Sequence, residues 1–104
     1  MKINIQSKKI RLTNILKTHI NKKLEKLNSY HKNIKTINIT LHIENKLFKK
    51  SESEITLSDK KKLFASSLSE NIYLSIDNLF EKLDKQILKS KNTISIKWNS
   101  NHFI

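Results

Sequence analysis

The chain has 104 residues, 37% of them hydrophobic, with one Trp, two Tyr and four Phe. That suffices for one domain with its own core and is too apolar for a disordered polycation. Twenty-one basic residues against nine acidic ones give a formal charge of +12, and cysteine, glycine and proline are all zero, which excludes disulfide frameworks, thiolate metal sites, Walker loops, dinucleotide-binding fingerprints and nucleophile elbows.

KINIQ (2–6) alternates Ile3 and Ile5 with polar neighbours, as a short strand does. Thr13 is placed to cap a helix over 14–30, where Leu16, Ile20, Leu24 and Leu27 recur at helical spacing as one buried stripe. His19, Lys22, Lys23 and Lys26 stand to one side of that stripe. Lys23 lies at its edge, where a lysine stem covers apolar surface and its ammonium reaches water.

TINITLHIE (36–44) is the clearest strand, with Ile37, Ile39, Leu41 and Ile43 expected on a buried face and the intervening residues on a wet one. Turns use Asn, Asp, Ser and Lys in place of glycine, at ENK (44–46) and SDKKK (58–62). The second of these joins SEITLS (53–58) to KLFASS (62–67) as a hairpin. A second helix is predicted over 70–91, followed by a short segment, 92–104, that alternates briefly, pairs with nothing and is expected to be a flexible tail.

The order β-α-β-β-β-α predicts an α+β domain over 1–91, with a four-stranded sheet and two helices on its apolar face. Its first β-α-β step is expected to be a right-handed crossover.

The second helix sorts its residues into rows. At about 100° per residue, Ile72, Ile76, Leu79, Phe80, Leu83 and Ile87 share one arc. Lys82, Lys85 and Lys89 fall on one shoulder; Asp77, Glu81 and Asp84 fall on the other. Lone charge runs are usually solvated surface, and Glu81 with Lys85 makes an ordinary i,i+4 pair. Lys85 and Lys89, however, repel each other at i,i+4, so the row lowers local stability and is better explained by a polyanionic ligand. Side by side, the two helices are expected to merge their basic shoulders into one phosphate-binding surface that does not read bases.

Other chemistry is poorly supported. His19, His31, His42 and His102 are too scattered for a metal motif, and no nucleophile stands with a positioned base, so neither an enzyme nor a metal or other cofactor is expected. Tyr30 and Tyr73 are expected to pack at the helix ends, and Leu74 and Leu88 to face outward as isolated surface residues. MKINIQSKKIRL lacks a continuous apolar core and no segment approaches a membrane span, which makes the cytoplasm the expected compartment and leaves no membrane partner.

Tyr73, Ile76, Asp77, Leu79, Lys82, Leu83, Gln86, Lys89 and Lys91 form a pattern similar to the last helix of the short ribosome hibernation-promoting factors and the related ribosome-associated inhibitor A. NKKLEKLNSYHKNIKTINITLHIE (21–44) likewise resembles that family's first helix and long second strand, and the likeness covers about the first 91 residues. The resemblance implies a fold akin to double-stranded RNA-binding domains. It also implies a bacterial stress-response factor that lies against small-subunit ribosomal RNA, where messenger and transfer RNA would bind, and so silences translation on idle ribosomes. Carried over by position, the RNA-facing residues are Lys23, Lys26, Lys82, Lys85, Lys89 and Lys91. Expected partners are the small ribosomal subunit and a ribosome modulation factor, with a monomer off the ribosome.

Three features depart from the family pattern: Lys85 stands where arginine is common, Ser75 replaces a usual alanine, and the SDKKK turn is longer and lacks glycine. Long-form relatives add a dimerising domain, for which this length leaves no room, and the tail with Trp98 and Phe103 matches neither short subtype. The alternatives are a general double-stranded RNA-binding module or RNA chaperone and, less well supported, a small RNA-processing enzyme, for which no acidic cluster is legible.

Overall fold

Thr13 Oγ1 accepts a hydrogen bond from the Leu16 backbone N–H at 3.2 Å, satisfying one of the donors that a helix start leaves unpaired. The helix begins at the next residue. The computed structural model describes residues 1–103, with side chains through Ser90. Its elements are β1 (Lys2–Lys8), α1 (Asn14–Tyr30), β2 (Ile34–Ile43), β3 (Lys49–Leu57), β4 (Lys62–Ser69) and α2 (Ile72–Phe103).

The four strands form one sheet in the order β1-β2-β3-β4. β1 runs parallel to β2, a pairing that needs a long crossover and has one in α1, whereas β2, β3 and β4 pair antiparallel through tight turns. One register row carries Ile5, Ile39, Ser53 and Ala65 across the inner face; the next carries Ile3, Ile37, Ile55 and Leu63. Leu16, Ile20, Leu24 and Leu27 of α1 and Ile76, Leu79, Phe80, Leu83 and Ile87 of α2 close over these rows as one core. The expected α+β fold is the one observed.

β3 starts at Lys49, well before the SEITLS segment that its apolar pattern marked. Its early inward positions are Ser51 and Ser53, both buried, so the strand has no apolar alternation there to read. α2 satisfies one of them. Ser51 Oγ donates to the Ser75 carbonyl at 3.0 Å and lies 2.8 Å from Ser75 Oγ, which itself donates to the Ser67 carbonyl at 2.9 Å. The buried serine on α2 is therefore matched by serines on the sheet beneath it.

Two other expectations are corrected. Ile43 is exposed, because it lies at the end of β2 beyond the cover of the helices. Tyr30 is exposed too, because α1 ends at Tyr30 and the chain buries His31 in its place. α2 continues past the boundary expected at Lys91, and the side chains of the segment expected to be a flexible tail, 92–104, lie outside the described residues.

The glycine-free turns are built as their residue types suggest. Asn45 Oδ1 accepts from the Leu47 and Phe48 amides at 2.9 and 2.8 Å, and Asp59 Oδ1 accepts from the Lys61 amide at 3.0 Å. In the second turn Lys60 takes φ 73°, a left-handed conformation that glycine adopts more easily.

Candidate nucleic-acid interface

The three rows predicted on α2 exist, but their neighbours differ from those expected. The apolar row faces the sheet and α1. The acidic row faces α1. Asp77 Oδ1 lies 2.6 Å from His19 Nε2 and 3.3 Å from Lys23 Nζ, and Asp84 Oδ1 lies 2.6 Å from His31 Nε2. Tyr73, one turn before Asp77, meets the His19 ring edge-on at a centroid distance of 5.2 Å and an interplanar angle of 82°.

The lysine row faces the opposite side, along the outer edge of β4. Lys82 Nζ donates to the Ser66 carbonyl at 2.7 Å, and Gln86 Nε2, one turn on, donates to the Phe64 carbonyl at 2.6 Å. Both carbonyls belong to the edge strand, so α2 covers hydrogen-bonding groups that would otherwise invite another strand. Lys85 is exposed and pairs with Glu81 at 3.4 Å. Lys89 is exposed, and among the described residues no ion pair holds it.

This geometry corrects the merged basic surface. Lys23 and Lys26 of α1 line a groove between the helices together with Leu27, Tyr30, Phe80 and the three acids. Asp77, Glu81 and Asp84 therefore stand between the α1 lysines and the α2 lysine row. The structure brings Lys82, Lys85 and Lys89 together, brings Lys23 and Lys26 together, and keeps the two groups apart. The side chain of Lys91 lies outside the described residues.

The interhelical pairs were missed because the histidines were weighed as metal ligands. The available cue was an acidic row on one helix matched by a row of His and Lys on the other. Among the described residues no cluster of three His or acidic groups suits a metal ion.

Residues 3–95 match the family described as Sigma 54 modulation protein / S30EA ribosomal protein. The chain belongs to that family. Among S30EA relatives, it is 29% identical over 91 residues to a ribosome hibernation promoting factor of Azotobacter vinelandii, covering 88% of this chain and 83% of the relative. It is 27% identical to the Escherichia coli K12 factor of the same name, covering 90% of this chain and 97% of that one. A Bacillus subtilis ribosome hibernation promotion factor is 32% identical over 100 residues, 94% of this chain, although the chain spans only 52% of that protein's length.

Solved structures agree on the S30EA architecture. A ribosomal subunit interface protein from Coxiella burnetii superposes with a TM-score of 0.81 at 28% identity, covering 88% of this chain and 99% of its own. The N-terminal domain of Thermus thermophilus Protein Y shares the fold at a TM-score of 0.73 and 19% identity, covering 84% of this chain and 96% of that one.

Proposed function

We propose that this chain is a ribosome hibernation factor. It binds small-subunit ribosomal RNA in the decoding channel and blocks messenger and transfer RNA from idle ribosomes. Family membership and the names of its relatives support the hibernation role; the observation that carries the RNA contact is the unbroken row Lys82, Lys85 and Lys89 on α2. Lysines in such a row act as point charges on phosphates and position the protein without reading sequence. Lys23 and Lys26 form a second, separate group of contacts, and Lys91 extends the α2 row along the sequence.

The reading is of a cytoplasmic binding protein, working through the small subunit and a modulation partner, and not of an enzyme. Sedimentation of purified ribosomes through a sucrose gradient tests it, with the protein near stoichiometric amounts and duplex RNA in excess. Retention on the small subunit or the intact ribosome is expected. Loss of binding to the duplex competitor would replace this reading with that of a general double-stranded RNA-binding module. The variant Lys82→Glu/Lys85→Glu/Lys89→Glu is expected to leave the gradient fractions that hold ribosomes while keeping its fold.

A further inference from the structure

The face of the sheet turned away from the helices is built almost wholly from polar side chains. Its two central register rows are Asn4, Asn38, Glu54 and Phe64, then Gln6, Thr40, Glu52 and Ser66. Phe64, 62% exposed, is the apolar residue in those two rows, and Leu68, 51% exposed, follows further along β4. Scattered exposed apolar residues are normal. Phe64 differs because its setting is fixed. Its carbonyl is held by Gln86 at 2.6 Å, and the next outward residue of β4, Ser66, is held through its carbonyl by Lys82 at 2.7 Å. The ring thus stands on a strand clamped at its outer edge by the helix that carries the lysine row.

Lys82 and Gln86 line one shallow depression with Phe64, Asn38, Thr40 and Ser66. Of Lys82, Lys85 and Lys89, it is Lys82 that lines this depression, at the β4 edge of the open sheet face. The two acids on that face have partners. Glu52 lies 2.7 Å from His42 Nε2, and Glu54 lies 3.4 Å from Lys62 Nζ.

We propose that Phe64 is a stacking platform for an unpaired base of single-stranded RNA, with Lys82 and Lys62 taking the flanking phosphates. A rigid aromatic face beside cations on a polar sheet is the combination that holds unstacked bases. Asn38, Thr40 and Ser66 offer donors and acceptors to the base edge, and the carboxylate of Glu54 accepts from an exocyclic amine. A basic protein segment is disfavoured as the occupant by the net charge of +12. The inference rests on the chain being an RNA-binding protein and adds a base contact to a surface otherwise limited to phosphates.

The test is the affinity of a short single-stranded RNA of mixed sequence, measured by anisotropy, for the parent, Phe64→Ala, Phe64→Leu and Phe64→Tyr. The Ala and Leu variants are expected to bind about 5- to 100-fold more weakly and the Tyr variant like the parent. In a Trp98→Phe background, the emission of Phe64→Trp is expected to be quenched as the RNA is added. Parental affinity in Phe64→Ala overturns the proposal, as does unchanged emission of Phe64→Trp at saturation. Weaker ribosome binding by Phe64→Ala with single-stranded RNA binding intact also overturns it, in favour of a ribosomal protein contact. Lys85→Glu/Lys89→Glu, which leaves Lys82 in place, tests the ribosome reading independently, so failure of one is separable from failure of the other.

Discussion

His31 Nε2 lies 2.6 Å from Asp84 Oδ1, so the residue that ends α1 is tied to a carboxylate on α2. His31 is only 2% exposed, and its backbone N–H closes α1 by donating to the Leu27 carbonyl at 3.0 Å. One buried imidazole thus sets where the first helix stops and how the second lies against it. A polar ring this deep needs a partner, because an unsatisfied buried group retains its full desolvation penalty.

Asp84→Ala should therefore lower stability by about 1–3 kcal/mol, seen as a fall of several degrees in Tm by circular dichroism. Asp84→Asn, which keeps an acceptor oxygen, should cost less. Equal melting of Asp84→Ala and the parent would mean that the pair does not support the helix contact.

The buried serines give a coupled case. Ser51 and Ser75 have two hydroxyl protons for three close contacts: the Ser75 carbonyl, the Ser67 carbonyl and each other. Removing either hydroxyl leaves the other with fewer partners. Ser75→Ala and Ser51→Ala are each expected to cost about 1 kcal/mol. The double variant should cost less than their sum by about 0.5 kcal/mol or more. Strict additivity in denaturant titrations would show that the two hydroxyls act independently.

The fold was legible wherever side-chain polarity matched burial. The stripe Leu16, Ile20, Leu24 and Leu27 and the alternation of Ile37, Ile39 and Leu41 pointed to the elements that bury them. The first half of β3 was hidden because Ser51 and Ser53 are polar yet buried, and their hydroxyls find partners only in the folded state or not at all. At the candidate site the α2 rows were readable from spacing alone, but which element each row would face was not. That depends on how α2 docks, with its acids toward His19 and His31 and its lysines toward the β4 edge. Phe64 was not marked by alternation, because Leu63 and Ala65 beside it are apolar too, and only the sheet register places it among Asn38, Glu54 and Ser66.

The β3–β4 turn offers a stabilising change. Lys60 holds φ 73°, where a Cβ is unfavourable and glycine, which has none, is not penalised. Lys60→Gly is expected to raise stability by about 0.5–1 kcal/mol, read as a higher urea midpoint at unchanged slope. A lower midpoint would show that the Lys60 side chain contributes more than its backbone geometry costs.

Asp77 bears directly on the α1 group of candidate RNA contacts. It holds Lys23 at 3.3 Å and places a negative charge beside any phosphate that Lys23 could reach. Asp77→Asn should strengthen ribosome binding, by no more than about fivefold given the small worth of a half-exposed pair. Unchanged affinity would place Lys23 outside the contact.

The α2 row should be distinguishable from the α1 group by salt. Each phosphate contact releases counterions, so each lysine that makes one contributes about one unit to the slope of log affinity against log salt. Lys85→Ala and Lys89→Ala are each expected to flatten the slope by about one unit while leaving stability within about 0.5 kcal/mol of the parent, since neither side chain packs in the core. Lys82→Ala should flatten it equally and also loosen the β4 edge, because its ammonium is the donor to the Ser66 carbonyl. A single variant that weakens binding with no change in slope would mark a lysine acting through structure and not through phosphate. Lys82 is the residue at which the two roles meet, so comparing its slope with its Tm separates them.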